Sequence, residues 1–467
     1  MTGLPKADGS SAVVGSLMRP AIRAVLIKGE PGTGKTIFSL ELLRSHGGGL
    51  YVSTRVPEDK ILMQYPSLRL LFTDDGVKLP KAVVEGARFQ DMRFSDAAML
   101  VETVIEYISK LKDPLVVLDS WDTVARQLSA TERLKTENAL LALADTRNAR
   151  LVFTSEEPAV SSTDYLVDAI VLLKSEIIDG RRVRRLELQK LRGAEIPEVS
   201  YLFSLHEARF NVFEPTTFPV PPLQDRRPFR EVKNSPGYYS TGSRELDAML
   251  GGGLRDGRGM VIEIGQYVGD GWEMPLVSMI SSNFIANGGC VVALPTAGAT
   301  GEMIRRFKTP HFRKEVLEQR WKVARFNEAS AGDPYSFQLD PTSAMKSLQI
   351  FWKTVEKMSK AGNRKALPHL SILGIDRIET TFGEGEIVKL QALTSAMLSK
   401  GHGTILAITR QFTKSNQFLV GVTGRYLKLY QINGRLVLYS IKPPSKMYVV
   451  DYDSSKGYPT VNLTPMS

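Results

Sequence analysis

A glycine-rich loop followed by a lysine and a threonine is the first group of residues whose types and spacing could do chemistry. The run from 29 to 36 fits the pattern G-x-x-x-x-G-K-[ST]. Its residues are Gly29, Glu30, Pro31, Gly32, Thr33, Gly34, Lys35 and Thr36. Glycines let backbone N–H groups turn inward around phosphate oxygens. We expect Lys35 to reach the β- and γ-phosphates and Thr36 to ligate Mg²⁺, so the loop predicts binding of ATP with magnesium.

A carboxylate about 80 residues further on completes the pattern. Asp119 ends the apolar run Leu115 to Leu118 and is the expected second magnesium residue. Thr154 and Ser155 end the next apolar run. Because the carboxyl ends of parallel strands meet at one edge of a sheet, we expect all these side chains to share one crevice.

The elements that must hold these residues alternate between strand-like and helix-like segments. Near-continuous apolar runs, which suit a parallel sheet covered on both faces, begin at Ala24, Leu50, Leu115 and Arg150. A helical pattern from Ala98 to Ile108 lies between two of them. An apolar strand enters the glycine loop, and a helix, Ile37 to Leu43, leaves it. The pattern predicts an α/β fold with a mainly parallel, twisted sheet flanked by helices.

The same order recurs in the second half of the chain. Apolar runs begin at Met260, Cys290, Leu370 and Thr404, and a glycine-rich loop follows the first of them. Between the halves lies a stretch rich in proline, which removes backbone donors and stiffens a chain. We therefore predict two tandem domains, at 1–214 and 238–467, joined by a linker at 215–237.

Charge is distributed unevenly along the 467 residues. Residues 1–220 carry 28 Lys and Arg against 29 Asp and Glu, whereas residues 221–467 carry 32 against 21. The second half can therefore attract an anionic partner, with a solvated basic surface as the alternative. Between 305 and 326, cations alternate with aromatic residues, which suits either single-stranded nucleic acid or a helix with one apolar face.

Composition excludes several classes of protein. The single cysteine, Cys290, excludes an internal disulfide framework and a cysteine-rich metal site. No run of about 18 apolar residues occurs, so we expect no membrane span. The first residues lack a basic start and an apolar core, so we expect no signal peptide and a cytoplasmic location.

Together, the motifs of the first half resemble the KaiC-like branch of the RecA superfamily. The run Asp168 to Leu173, the basic hairpin 180–185 and Leu188 to Gly193 are similar to that family's terminal strands. The resemblance implies that Lys190 and Arg192, at the K-x-R-G positions, reach the nucleotide of a neighbouring subunit in a homo-oligomer and assist catalysis with Lys35. Ordinary surface cations are the alternative.

One feature makes this resemblance more specific, and another departs from it. The run Tyr51 to Val56, followed by Gln64-Tyr65-Pro66, is similar to gas-vesicle regulators of the GvpD type, which are archaeal P-loop proteins. KaiC-like ATPases carry a Glu pair after the second strand, where this chain has Thr54-Arg55-Val56. Glu58, Asp59 and Asp122 are nearby carboxylates that do not match the missing pair. We therefore expect slow hydrolysis, or binding without hydrolysis.

The second domain resembles a KaiC-like domain that has lost its phosphate site. Residues 240–253 are similar to the family's domain entry, but the following loop, 265–273, has no lysine and no hydroxyl at the required places. Asp270 and Glu273 would repel phosphate, and Asp376 copies Asp119 with no cation beside it. These substitutions predict a pseudo-ATPase domain.

The sequence favours an ATP-binding regulatory or scaffolding protein that acts through ATP-dependent assembly and an unidentified protein partner. Two alternatives stay open. One is a DNA-acting, recombinase-like ATPase that uses the basic half, and the other is a structural protein with a static bound nucleotide. Slow ATP hydrolysis is compatible with the regulatory protein and with the DNA-acting ATPase.

Overall fold

The computed structural model describes residues 12–64, 87–93, 95–111, 113–196, 198–216, 227–299, 307–308, 310–326, 333–360, 366–398 and 402–466. The described chain divides into two compact units. Unit 1 spans residues up to Pro215 together with Met466, and unit 2 spans Thr216–Pro465.

Unit 1 is a single sheet covered by helices on both faces. Its strands are β1 Ala24–Gly29, β2 Leu50–Ser53, β3 Arg88–Asp91, β4 Leu115–Asp119, β5 Arg150–Ser155, β6 Ala169–Ile178, β7 Arg181–Leu191, β8 Ser200–Ser204 and β9 Asn211–Phe213. Its helices are α1 Ala12–Leu17, α2 Lys35–His46, α3 Glu58–Gln64, α4 Ala97–Lys110, α5 Trp121–Ala125, α6 Ala130–Arg147 and α7 Ser162–Leu166. The strand order is β3-β2-β4-β5-β1-β6-β7-β8-β9.

Burial explains why the apolar runs became strands. Every residue of β1 and β2 is buried, and two hydrophobic clusters lie on opposite faces of the sheet. The pairs from β3 to β6 are parallel, whereas β7, β8 and β9 are antiparallel. Helix starts are set locally; for example, the side chain of Asp96 accepts the backbone N–H of Met99 at 2.8 Å.

Unit 2 repeats this plan. Its strands are β10 Tyr238–Tyr239, β11 Leu254–Arg255, β12 Gly259–Ile264, β13 Cys290–Leu294, β14 Trp321–Arg325, β15 Ser336–Gln338, β16 His369–Gly374, β17 Gly403–Arg410, β18 Tyr426–Ile432, β19 Arg435–Lys442, β20 Tyr448–Asp453 and β21 Thr460–Pro465. Its helices are α8 Arg244–Met249, α9 Met274–Ala286, α10 Lys314–Arg320, α11 Ala344–Ser359, α12 Ile375–Phe382, α13 Glu384–Leu398 and α14 Asn416–Val422. The large sheet has the order β15-β14-β13-β16-β17-β12-β18-β19-β20-β21.

The two sheets have matching topology. The strand that precedes the glycine-rich loop, β1 in one unit and β12 in the other, lies between two parallel neighbours, and antiparallel strands follow on one side. The α/β prediction with tandem RecA-like sheets is confirmed, because each apolar run identified in the sequence forms one of these strands.

The proline-rich stretch is only partly described, because residues 217–226 lie outside the described residues. The following segment, 227–237, packs against unit 2. The ring of Phe229 lies 4.6 Å from the ring of Tyr458, and the backbone N–H of Val232 donates to the Asn283 side chain at 2.8 Å. These contacts fix the end of this stretch onto the second sheet's domain.

A lysine is buried in unit 2 among hydroxyl groups. The Nζ atom of Lys308 donates to the Ser278 carbonyl at 2.7 Å, to Ser281 Oγ at 2.6 Å and to Ser282 Oγ at 2.8 Å, all on α9. It forms no ion pair with a carboxylate of the described residues. Burial therefore lowers the pKa of Lys308 well below its usual 10.5.

Lys308 should make stability depend on pH. In the window between its lowered folded-state pKa and its ordinary value of 10.5, the unfolded chain binds the extra proton, so the free energy of unfolding rises with pH. Replacing it, Lys308→Met, should remove that rise, which amounts to at most about 1.4 kcal/mol per pH unit. Denaturant unfolding of the full chain between about pH 7 and 10 measures the difference. The exposed Lys353→Met is the control; parallel profiles for Lys308→Met and the wild type would contradict the assignment.

Candidate functional site

The glycine loop of unit 1 lies between the carboxyl end of β1 and the start of α2. Gly29 has φ +153°, and a Cβ there would lie 2.5 Å from the carbonyl oxygen of Leu173 on β6. Gly34 has φ +107°, and the side chain of Leu205 lies 3.0 Å from the place of its missing Cβ. Both positions therefore require glycine, which allows the loop to turn tightly over the sheet edge.

Lys35 lies inside this loop. Its Nζ donates to the carbonyl of Gly29 at 2.7 Å and to that of Glu30 at 3.0 Å, while Thr33 Oγ1 donates to the Glu30 carbonyl at 2.8 Å. Burial lowers the pKa of Lys35, and the carboxylates of Glu156 and Asp119 act in the opposite direction. The loop thus holds a buried ammonium whose described bonds go to backbone oxygens.

Asp119 joins three elements at the carboxyl edge of the sheet. Thr36 Oγ1 donates to its Oδ2 at 2.7 Å, Thr154 Oγ1 donates to its Oδ1 at 2.6 Å, and the Tyr51 hydroxyl also donates to Oδ2. The crevice predicted from Thr36, Asp119 and Thr154 is therefore formed.

These oxygens fit a magnesium ion. A hydroxyl and a carboxylate are the hard ligands that Mg²⁺ prefers, and Thr36 and Asp119 are already in contact. The described residues include no cluster of three or more His, Cys, Asp or Glu suited to a metal. An octahedral ion here would therefore need phosphate oxygens and water for its remaining positions.

Arg184 is a site residue that the sequence analysis missed. It lies on β7 and is only 7% exposed, and its Nη1 donates to the carbonyl of Gly32 in the loop at 3.1 Å. Its Nε is buried without a hydrogen-bond partner, and burial lowers its pKa. Arginines on a hairpin are ordinarily solvated, whereas Arg184 is buried. Four arginines surround Val183 in the sequence, and their spacing alone does not show which one contacts the loop.

The nearby carboxylates are already engaged. Glu156, directly after β5, forms an ion pair with Arg55, and its backbone N–H donates to Asp122 Oδ2 at 2.5 Å. Glu58 and Asp59 are exposed in the first turn of α3. Sequence reasoning did not identify Glu156, although its place after a strand at this edge was a usable signal.

Lys190 and Arg192 lie near each other at the end of β7. The Nζ of Lys190 donates to the Asp164 carbonyl at 2.8 Å. Arg192 donates to the Tyr165 carbonyl at 3.1 Å and pairs with Asp168 at 3.2 Å. In the described residues neither side chain bonds to the phosphate loop of its own chain, and the Arg192 side chain is 54% exposed.

The matching edge of unit 2 has the opposite charge. Arg410, at the end of β17, pairs with Asp270 at 2.8 Å, and its guanidinium lies 4.0 Å from Glu273 and 3.9 Å from Asp376. Burial raises the pKa of Glu273, and one oxygen of Glu273 and one of Asp376 have no hydrogen-bond partner. The expectation that Asp376 has no cation beside it was wrong, because Arg410 comes from a strand distant in sequence.

Two of the aromatic residues of the basic stretch are buried, and the others are partly buried. Phe307 is 7% exposed and Trp321 is 1% exposed, and both belong to the core of unit 2. Phe312 packs against the same core, and Arg305 and Arg306 lie outside the described residues. The expected single helix with one apolar face is wrong, because only Lys314–Arg320 is helical and Trp321–Arg325 forms strand β14.

Known proteins resemble this chain in its P-loop domain and, in one case, over nearly its whole length. Residues 17–189 match the family model for the GvpD gas vesicle protein, P-loop domain. Protein GvpD2 of Halobacterium salinarum is 27% identical over 484 aligned positions, covering 95% of this chain and 93% of that protein. Protein GvpD1 of the same organism is 30% identical over 305 positions, covering 61% of this chain and 56% of GvpD1.

The similarity to KaiC is shorter. The circadian clock oscillator protein KaiC of Synechococcus elongatus is 27% identical over 259 positions, covering 50% of this chain and 47% of KaiC. None of the described helices is long and apolar enough to cross a membrane. The P-loop motif, the tandem sheets and these similarities agree: the chain has a KaiC/RecA-like fold and is similar to GvpD-type P-loop proteins, whose P-loop family model it matches over residues 17–189.

Proposed function

We propose that this protein binds one ATP with magnesium in unit 1 and uses the bound nucleotide to control its self-assembly and its contact with a protein partner. Its similarity to GvpD and KaiC proteins supports a regulatory protein of the P-loop ATPase class, for which nucleotide binding and usually magnesium are general. Beyond that, we propose that the nucleotide is ATP, that one molecule binds per chain, and that its binding changes self-assembly.

One observation carries the nucleotide proposal. Lys35 and Arg184 are both buried beside the loop, and their described hydrogen bonds go to backbone carbonyls rather than to carboxylates. Burying a cation without an opposite charge is costly. A triphosphate would supply that charge, while the N terminus of α2 and the loop N–H groups add further donors. Thr36 and Asp119 would hold the magnesium that neutralises the remaining phosphate charge.

Slow turnover is supported by the partners of the carboxylates. Arg55 stands where KaiC-like ATPases carry a glutamate, and it pairs with Glu156. Asp122 accepts the N–H of Glu156. A carboxylate oxygen that already accepts from a guanidinium is not free to accept a proton from an attacking water. We propose hydrolysis slower than about one per minute, against a usual enzyme median of around 10 per second.

Assembly is supported by Lys190 and Arg192. Both lie beyond hydrogen-bond reach of their own phosphate loop, and Arg192 is half exposed, so a neighbouring chain's nucleotide is the anion they would meet. Buried Phe307 and Trp321 weaken the DNA-binding alternative, since base stacking needs exposed rings. We therefore favour regulation by assembly over action on DNA or a static nucleotide.

One nucleotide should bind per chain. Calorimetric titration of the full chain with a slowly hydrolysed ATP analogue and Mg²⁺ should give a stoichiometry of one, because the loop of unit 2 carries acids instead of cations. Lys35→Ala should weaken binding roughly 100-fold, the value of one strong charge-assisted hydrogen bond. Lys60→Ala, an exposed lysine on α3, should bind normally. Two sites per chain would contradict the pseudo-site, and unchanged affinity in Lys35→Ala would contradict the loop assignment.

Arg184→Gln should separate binding from folding. Losing a buried cation that meets the phosphates should weaken nucleotide binding by about tenfold or more. The melting temperature without nucleotide should stay the same or rise, because an uncompensated buried charge is removed. Arg182→Gln, exposed on the same hairpin, makes the same change in net charge and should alter neither property. A fall in melting temperature with normal nucleotide affinity would show that Arg184 only supports the fold.

Self-association should require ATP. Mass photometry should show larger assemblies with ATP and Mg²⁺ than with ADP, and the Lys190→Ala, Arg192→Ala double variant should remain small while keeping one bound nucleotide. The control double variant is Lys174→Ala with Arg182→Ala, which removes two other hairpin cations. Identical masses in ATP and ADP, or normal assembly of the first variant, would refute the proposal that a neighbouring chain contacts the bound nucleotide.

A further inference from the structure

Unit 2 contains a second cavity, separate from its acidic, phosphate-loop-like edge. It measures about 550 Å³, within the range of roughly 300–1,000 Å³ typical of small-molecule sites. It lies between one face of the sheet, at β12 and β17, and the helices α12, α13 and α14. We propose that this cavity binds an amphipathic anion, a molecule with an aliphatic chain and a negatively charged carboxylate or phosphate head.

The cavity wall is aliphatic. Leucine, isoleucine and valine side chains dominate its lining, among them Ile378, Ile387, Leu390, Ile405 and Leu419, with Ala407 at one wall. No phenylalanine, tyrosine or tryptophan lines the cavity among the described residues. Flat ligands such as nucleobases are usually held by aromatic stacking, so this wall suits a flexible hydrocarbon chain better.

The charged groups of the lining all have one sign. Arg255, Arg258 and Arg425 line the cavity, and no aspartate, glutamate or lysine does so among the described residues. The three arginines lie together because Arg258 directly precedes β12 and Arg425 directly precedes the adjacent β18. They stand at the amino ends of these strands, opposite the edge that carries Asp270 and Arg410.

The arginines are free to meet an anionic head. Arg255 and Arg258 are exposed, and none of the three forms an ion pair with a carboxylate of the described residues. Arg425 is held in place by a hydrogen bond to the Leu250 carbonyl at 3.2 Å and by the ring of Tyr238, 5.6 Å away. The neighbouring Asp256 is bound by the Tyr239 hydroxyl at 2.9 Å and the Gly403 N–H at 2.8 Å.

The cavity therefore combines a group of arginines with an aliphatic interior. Guanidinium groups bind carboxylates and phosphates in two-pronged geometry. Each ligand methylene buried in the aliphatic interior should improve the free energy of binding by about 0.8 kcal/mol, which is about fourfold in affinity. Neutral polar groups from Gln391, Thr394 and Thr423 add further hydrogen-bonding capacity. Neither an inorganic phosphate nor a plain hydrocarbon would use both features.

Titration calorimetry of the full chain tests the proposal. The probes are decanoate, dodecanoate and tetradecanoate below their micelle concentrations, with dodecyl phosphate and 1-dodecanol at equal chain length. We expect saturable binding at one per chain, affinity that rises by up to about fourfold per methylene, and 1-dodecanol at least about tenfold weaker than dodecanoate. Whichever of dodecanoate and dodecyl phosphate binds with higher affinity carries the preferred head group.

Variants locate the site. Arg255→Gln with Arg258→Gln should weaken dodecanoate binding at least about tenfold, whereas Arg244→Gln with Arg313→Gln, two exposed arginines outside the lining, should not. Ala407→Phe should fill the cavity, and Thr394→Trp on α13 is a second filling variant if the first fails to fold. Absence of saturable binding, equal affinity for 1-dodecanol, or full binding by a folded filling variant would overturn the proposal.

Discussion

Two cations are buried beside one glycine-rich loop, and the chemistry of unit 1 depends on how their charge is balanced. Lys35 reaches the loop from the first turn of α2 and Arg184 reaches it from β7, and both donate to loop carbonyls. Backbone carbonyls offset only part of the cost of burying a full charge. The loop can fold with these two cations buried, and the binding of a polyanion should stabilise it most.

The sheet makes this arrangement possible. Since β1 lies between β5 and β6, its carboxyl end brings the loop next to Asp119 and Thr154 on one side and next to the β6–β7 hairpin on the other. The same topology in unit 2 brings together Asp270, Glu273 and Asp376 around Arg410. One fold therefore supports an edge with two buried cations that lack a carboxylate partner among the described residues, and an edge with three carboxylates around one arginine. Phosphate should bind only at the first edge.

The sequence predicted the parts of this molecule that depend on local pattern. Apolar runs became the buried parallel strands, the glycine spacing placed Lys35 and Thr36, and Asp119 was found because it ends a strand. Arg184 and Arg410 were missed as partners, because each is brought to its site by strands distant in sequence. Glu156 could have been found, because it directly follows β5 at the predicted edge. The aromatic residues around Trp321 show the same limit: a mixed cationic and aromatic stretch does not reveal which ring faces the core.

The central claim is that nucleotide binds at the cationic edge of unit 1 and not at the acidic edge of unit 2. Hydrogen-exchange mass spectrometry of the full chain, with and without a slowly hydrolysed ATP analogue and Mg²⁺, tests it directly. The account predicts slower exchange in peptides covering 29–36, 119–122 and 181–186, and no change at 265–274. Protection at 265–274, or none at 29–36, would contradict it.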